Sequence, residues 1–214
     1  MIASSGRLIW QGTELELLPQ RALWQRDQGV LLVADLHLGK AESFQASGIP
    51  LPSDGDLGNL NQLLDLSGQL KPTRVVVLGD LIHSRVGLTA ELRDKIRALP
   101  DLLGCPLELI GGNHDQGSWL QDLRAGPPRR SGSLWLSHEP CTPSQGELLN
   151  VAGHIHPVAV LGHGADRLRL PCFALHRAHR QLLLPAFGSL TGGYAVSSEH
   201  QRWVIADARV LALP

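Results

Sequence analysis

The chain has 214 residues, with 19 Lys+Arg against 20 Asp+Glu for a formal charge of −1, 43% hydrophobic residues and 18% charged residues. That composition excludes a disordered chain, which couples low hydrophobicity to high net charge. It also excludes a globally basic nucleic-acid binder, so any such contact must come from a local patch. The length fits one large domain as readily as two small ones. With no linker-like segment and no internal repeat, a single domain over residues 1–214 is expected.

The first residues, MIASSGRLIWQG, lack an apolar core of signal-peptide length. The longest uncharged stretch, residues 181–198, carries Pro185, Gly188, Gly192 and Gly193, so no membrane span is expected. The 3 cysteines are an odd number without a C-x-x-C pair. A reduced, cytoplasmic protein is the plain expectation.

In chain order, residues 8–24 read as β-type runs broken by Gly and Pro. An apolar run over 30–34 predicts a buried strand. The segment 54–66 then repeats Leu57, Leu60, Leu63 and Leu64 at helical spacing, with Ser53 placed as N-cap. Residues 74–78, with three consecutive valines, predict a strand covered on both faces. A second helix is expected over 90–99, ending before Pro100. Strands follow over 106–110, 134–137 and 148–152, and residues 168–213 again look β-rich. Alternating β and α units followed by a β-rich half, sharing one core, are the expected α/β organisation.

Each apolar run ends in side chains that bind metals. Residues 30–34 lead into Asp35-Leu36-His37, 74–78 into Gly79-Asp80, and 106–110 into Gly112-Asn113-His114-Asp115. The run 134–137 delivers His138, and 148–152 delivers Gly153-His154-Ile155-His156. Carboxyl ends of strands are where an open α/β sheet places its site. In extended chain residues i and i+2 face the same side, so Asp35 with His37, and His154 with His156, are expected to act together. Glycines 79, 112 and 153 permit sharp exits and close backbone approach. A lone histidine pair is more often structural; the repeated pattern is what points to metal. The donors are carboxylate, imidazole and amide without thiolate, which favours octahedral Mn or Fe, with Zn compatible. Asp80 is the natural bridge between two cations, which would sit about 3.5–4 Å apart and clamp a phosphate.

With these residues the chain resembles the calcineurin-like metallophosphoesterases, whose pattern D-x-H, G-D, G-N-H-D, H, G-H-x-H spans residues 35–156. The resemblance implies a four-layer α-β-β-α sandwich with two mixed sheets. It further implies one cation held by Asp35, His37, Asp80 and His156 and another by Asp80, Asn113, His138 and His154. A narrower likeness lies in LLPQRALW, LLVADLHLGKAESFQASGIP, VVVLGDLIHS and LLLPAFGSLTGG. These segments are similar to the ligase-associated DNA-damage-response phosphoesterases, often called the PdeM group. That likeness implies a manganese-dependent endonuclease on single-stranded DNA, associated in function with a DNA ligase, a helicase and an exonuclease. Many wider relatives carry a second Asp shortly after G-D, where this chain has Leu81-Ile82-His83.

His114 is the candidate for stabilising or protonating the leaving group, with Asp115 orienting its ring. Both could instead be members of a tight turn. Lys40 and His83 are candidate phosphate contacts, or a helix start and a backbone-bonded ring respectively. Within 116–133, Trp119 followed by Arg124, Arg129 and Arg130 combines a stacking surface with cations, as single-strand binders do. A packed Trp beside a solvated loop reads equally well there. A second Arg group, Arg167, Arg169, Arg177 and Arg180, is spread over β-type segments, and His163, His176, His179 and His200 lack ligand spacing. No phosphate-binding glycine loop, nucleophile elbow or dinucleotide fingerprint is present. Hydrolysis of a nucleotide or other small phosphodiester is the enzymatic alternative, and a non-catalytic scaffold is the alternative of another class. A monomer and a homodimer are both compatible with this sequence.

Overall fold

A computed structural model describes residues 6–115 and 123–214. The chain opens with four strands, β1 (Gly6–Trp10), β2 (Thr13–Leu18), β3 (Ala22–Gln25) and β4 (Val30–Val33). Helices α1 (Lys40–Ala46) and α2 (Asp54–Leu70) lead to β5 (Arg74–Leu78), and α3 (Ala90–Leu103) leads to β6 (Leu107–Ile110). Then come β7 (Ala125–Gly126), β8 (Arg129–Ser131), β9 (Leu134–Ser137), β10 (Leu149–Ala152) and β11 (Pro157–Leu161). The chain closes with β12 (Leu168–His176), β13 (Gln181–Leu183), β14 (Tyr194–Ala195), β15 (Gln201–Ala206) and β16 (Arg209–Ala212).

Two mixed sheets result. The first runs β1-β2-β3-β4-β5-β6-β7, antiparallel as far as β4 and parallel beyond it. The second runs β14-β11-β12-β13-β10-β9-β8, with β15 joined to β12 and β16 to β15. Alternation along the strands sends side chains to opposite faces. Leu32, Val76 and Leu78 meet Leu136, Val151, Phe173 and Leu182 between the sheets. Leu31, Val33, Val75 and Val77 face Leu60, Leu63, Leu66, Leu92, Ile96 and Leu99 of α2 and α3. The valine-rich β5 is therefore covered on both faces, as its composition predicts. Burying each such Leu or Val contributes about 1.5–3 kcal/mol.

The α/β class and both mixed sheets match expectation. The helical layer lies on the first sheet. Over the second, a small cluster of Ala152, Ala159, Cys172, Ala174, Leu183 and Val204 packs with Ile155, Leu170, Val196 and Leu213. No long helix covers that cluster among the described residues.

Helix details differ from the periodicity reading. Leu57, expected on the apolar stripe, is 50% exposed, and α2 continues four residues further, to Leu70. Ser53 precedes α2 without capping it; its hydroxyl accepts a hydrogen bond from Gln45 Nε2 at 3.0 Å. Helix α3 runs through Pro100 to Leu103. Proline there forfeits a backbone bond, but the last turn is held by buried Leu99 and Leu103 and closed by Gly104 at φ 68. At its start, Thr89 Oγ1 accepts the Leu92 N–H at 3.1 Å, a capping bond worth about 1 kcal/mol.

Candidate metal centre

The carboxyl ends of β4, β5 and β6 in one sheet, and of β10 in the other, open onto one cavity of about 340 Å³, and His138 at the end of β9 lies behind it against Asn113. The loops after β4 and β5 keep pairing beyond the strands: Asp35 N–H donates to Gly79 O (3.2 Å), His37 to Asp80 O (2.9 Å) and Leu38 to Leu81 O (2.9 Å). Asp35, His37, Asp80, His154 and His156 all have left-handed backbone, with φ between 48° and 66°. The i, i+2 pairs are thus not extended chain, contrary to the alternation expected for them. It is the left-handed turns that swing these side chains together. Gly79 has φ 81, and a β-carbon there would strike the His138 ring. At Gly153, where φ is ordinary, a β-carbon would meet the Asp35 carboxylate instead.

Two donor groups form. In the first, the ligating atoms of Asp35, His37 and His156 lie within 4.8 Å of one another. His156 Nε2 is 3.4 Å from Asp35 Oδ1, and His37 Nε2 is 3.8 Å from Asp80 Oδ2. In the second, His138 Nε2 is 2.9 Å from Asn113 Oδ1 and 3.5 Å from Asp80 Oδ2. His154 Nδ1 is 3.0 Å from Asn113 Oδ1 and 3.1 Å from His138 Nε2. Asp80 Oδ2 faces both groups. The other Asp80 oxygen accepts the His114 backbone N–H at 2.9 Å, and Asp35 accepts the His154 N–H at 3.0 Å. These amide bonds keep the buried carboxylates aimed.

The donors are chemically ready for cations. His37 Nε2 and His156 Nε2 are buried without a hydrogen-bond partner, a costly state unless something else satisfies them. His138 donates its Nδ1 proton to Leu78 O at 3.0 Å, which turns Nε2 towards Asn113 Oδ1 and the second donor group. His37 is pushed down to about 2, first by burial and then by His156, His114, Lys40 and His83, so its imidazole is neutral. The residues present fit a pair of divalent cations held by oxygen and nitrogen, and no cysteine belongs to either donor group.

Around this core, the structure redistributes several expected roles. His114 lines the cavity, with Nε2 4.0 Å from Asp80 Oδ2. Its orienting partner is the His83 carbonyl, which accepts from Nδ1 at 2.7 Å, rather than Asp115. Asp115 instead accepts from Gly112 N (3.1 Å) and Ile82 N (3.3 Å), bracing the turn against the β5 exit, and burial raises its pKa. The His83 ring lies between Phe44 and His114, with centroids 6.0 and 5.1 Å away. Burial and then Lys40 bring it down to about 4, so the ring is neutral at neutral pH. Lys40 opens α1, half-buried, with its own pKa lowered by burial.

Arg129 and Arg130 do not line the cavity. Arg129 pairs with Glu108 of the first sheet, and Arg130 bonds Gly132 O (2.8 Å) and Gln145 Oε1 (3.1 Å). Trp119 lies outside the described residues. Tyr194, which the sequence reading passed over, lines the cavity and is 72% exposed. Its signal was faint: it is the only tyrosine of the chain and follows Gly192-Gly193.

A shared carboxylate flanked by histidines, at strand ends of two stacked mixed sheets, defines a metal-dependent phosphoesterase. The chain belongs to the calcineurin-like phosphoesterase family, whose sequence pattern matches residues 29–193. It is similar to the crystal structure of Pseudomonas putida nuclease MPE, with 30% identity, a TM-score of 0.78, and coverage of 98% of this chain and 100% of that one. A Vps29 double mutant from Entamoeba histolytica shares 13% identity over 86% of this chain and 96% of that one, at a TM-score of 0.40, too slight to bear on function. No curated protein matches the sequence. Among the described residues, no helix is long and apolar enough to cross a membrane.

Proposed function

We propose that the protein is a manganese-dependent endonuclease acting on single-stranded DNA in DNA repair. The observation that carries the reading is Asp80 Oδ2 facing both donor groups, 3.8 Å from His37 Nε2 and 3.5 Å from His138 Nε2. One cation would be held by Asp35, His37, Asp80 and His156, the other by Asp80, Asn113, His138 and His154. Bound there, the pair would supply Lewis-acid charge and a water of lowered pKa. The thiolate-free donor set supports Mn, with Fe or Zn as alternatives. His114 Nε2 reaches the same cavity and is held to a fixed direction by the His83 carbonyl, so it can place a proton or a positive charge at the departing oxygen. Lys40 puts positive charge near His37 and His83, and Arg130, on the far side of β9, is a candidate guide for the strand.

The nucleic-acid part is supported by the likeness to a nuclease over nearly the whole chain. The repair setting, beside a ligase, a helicase and an exonuclease, is supported by the resemblance of LLVADLHLGKAESFQASGIP and its companion segments. Circular single-stranded DNA with Mn tests the reading, because only an endonuclease opens a circle. Linear product with the wild type and none with Asp80→Asn is expected. Intact circles alongside turnover of nucleotides or small diesters would instead establish the small-substrate alternative.

A further inference from the structure

We infer that Tyr194 is a stacking platform for an unpaired nucleobase next to the scissile phosphate. The inference rests on the nuclease reading and deepens it: it makes single-stranded nucleic acid the substrate class for a structural reason. Among the described residues Tyr194 is the only exposed Phe, Trp or Tyr; Trp24, Phe173, Phe187 and Trp203 are buried, and Trp10, Phe44 and Trp135 are partly so. Among the described residues the one Phe, Trp or Tyr ring left open to solvent therefore lies on the wall of the cavity lined by Asp80, His114 and His156. The rest of that wall consists of metal donors and polar groups, apart from Ile155, which adds an aliphatic surface. A phosphate would take the polar part, and Tyr194 with Ile155 offers the flat apolar face that a base needs.

The ring is held in register with the metal centre. The Tyr194 N–H donates to His156 O at 3.1 Å, and Val196 N–H donates to Val158 O at 3.1 Å, so β14 pairs in parallel with β11, Pro157 opposite Tyr194. On the other side Arg169 Nη2 donates to Gly193 O at 2.7 Å. Tyr194 is thus tied by backbone to a candidate metal ligand. With its backbone anchored, a tyrosine has only two side-chain torsions to fix when a base stacks on it, and stacking tolerates any base because each has a π-face. A base inside a duplex is already stacked on both sides and offers no face, so duplex is disfavoured at this position.

The test is a double cycle on single-stranded oligonucleotides in which one abasic residue is walked through the strand. The wild type is expected to lose about tenfold in kcat/KM when the abasic residue falls beside the cleaved phosphate, equivalent to about 1.4 kcal/mol and within the range for one stacked base. Tyr194→Phe should keep that penalty. Tyr194→Leu and Tyr194→Gln should cleave intact strands about tenfold less well and show no further abasic penalty. Bound Mn is measured in each variant, and two non-aromatic variants are used so that one misfolded protein does not decide. An abasic penalty that persists in Tyr194→Leu or Tyr194→Gln, or is missing at every position in the wild type, overturns the inference while leaving the nuclease reading intact. A wild type that cuts no DNA overturns the nuclease reading and the inference with it.

Discussion

Substitution of Gly79 by alanine tests how the two donor groups are coupled. Gly79 has φ 81, where an L-residue costs about 1–2 kcal/mol. The new β-carbon would also sit 2.7 Å from the His138 Cβ and closer still to the ring's Nδ1 and Cγ, so the ring must retreat by more than about 1 Å to regain normal van der Waals contact. His138 is 3% exposed, and overpacking of a closed site costs about 1–3 kcal/mol. The total, about 2–5 kcal/mol, is less than the stability of most domains, so a folded but weakened protein is expected. The ring shift matters more. It pulls Nε2 away from Asn113 Oδ1 and His154 Nδ1, now 2.9 and 3.1 Å distant, and a ligand tolerates only about 0.2 Å of misplacement. The three atoms nearest the new methyl all belong to His138, and the group of Asp35, His37 and His156 feels the change through the 3.7 Å approach of His138 Nδ1 to Asp35 Oδ1. Elemental analysis after Mn loading should therefore fall from about two ions per chain to about one, with DNA cleavage lost. Full activity with both ions retained would refute the reasoning. So would loss of both ions from a protein with a native circular dichroism spectrum, since the groups would then not be separable.

Replacing His114 with alanine should lower kcat by about 10²–10⁴-fold while Mn content stays near wild type; loss of both ions would show that the ring is a metal ligand or its support. Mn at about a hundred times its Kd should stabilise the protein by about 2.7 kcal/mol and raise Tm, an effect that a chelator reverses; a Tm indifferent to Mn would remove the metal centre. Asp56 is raised from 3.8 to about 6, first by burial, despite the hydrogen bond it accepts from Gly39 N–H. Between those values the folded protein holds a proton that the unfolded chain has released, so this contribution is complete below pH 3.8 and is lost as pH rises through about 6. Asp56→Asn cannot titrate, and its Tm relative to wild type should rise from pH 4 to pH 7.5; a difference that stays flat across that span would contradict the assignment.

The candidate donors are legible because such side chains are chemically conspicuous when each follows an apolar run; His37, Asp80, Asn113, His154 and His156 line one cavity, and Asp35 and His138 lie against them, 3.4 Å from His156 Nε2 and 2.9 Å from Asn113 Oδ1. The strands β4, β5, β6, β9 and β10 fall within about a residue of the apolar runs that predict them, since burial leaves a continuous apolar signature, whereas the short β7 and β8 carry no such run. What stayed hidden depends on contacts distant in sequence. The His83 carbonyl that orients His114 is 31 residues away, and the neighbouring Asp115 was the obvious guess. Tyr194 reaches the cavity only through the parallel pairing of β14 with β11. Arg129 looked free in a basic stretch, but strand β8 brings it to Glu108 of the other sheet. Pro100 was read as a stop because local propensity opposes helix there, while buried Leu99 and Leu103 outweigh it. Local rules see none of these.

The left-handed residues at the centre also separate what stability demands from what function demands. Asp35, His37, Asp80, His154 and His156 have φ of 55°, 48°, 51°, 66° and 51°. Each costs about 1–2 kcal/mol relative to a position where an L-residue is at ease. Together that is about 5–10 kcal/mol, as much as the whole net stability of an ordinary domain. Glycine would relieve it at every position, yet these five carry a carboxylate or an imidazole. The offset comes from below and beside the site. Ala34, Leu36, Leu78 and Leu81 are fully buried or nearly so, and the amide bonds between the β4 and β5 exits, with Gly188 N–H to Asp35 O at 3.1 Å, clamp the turns from both sides. Asn113 and His138, by contrast, are presented from backbone without a positive φ, so the donors around Asp80 divide into a strained set and a relaxed one. Strain retained where a smaller residue would remove it is evidence for use of the side chains themselves.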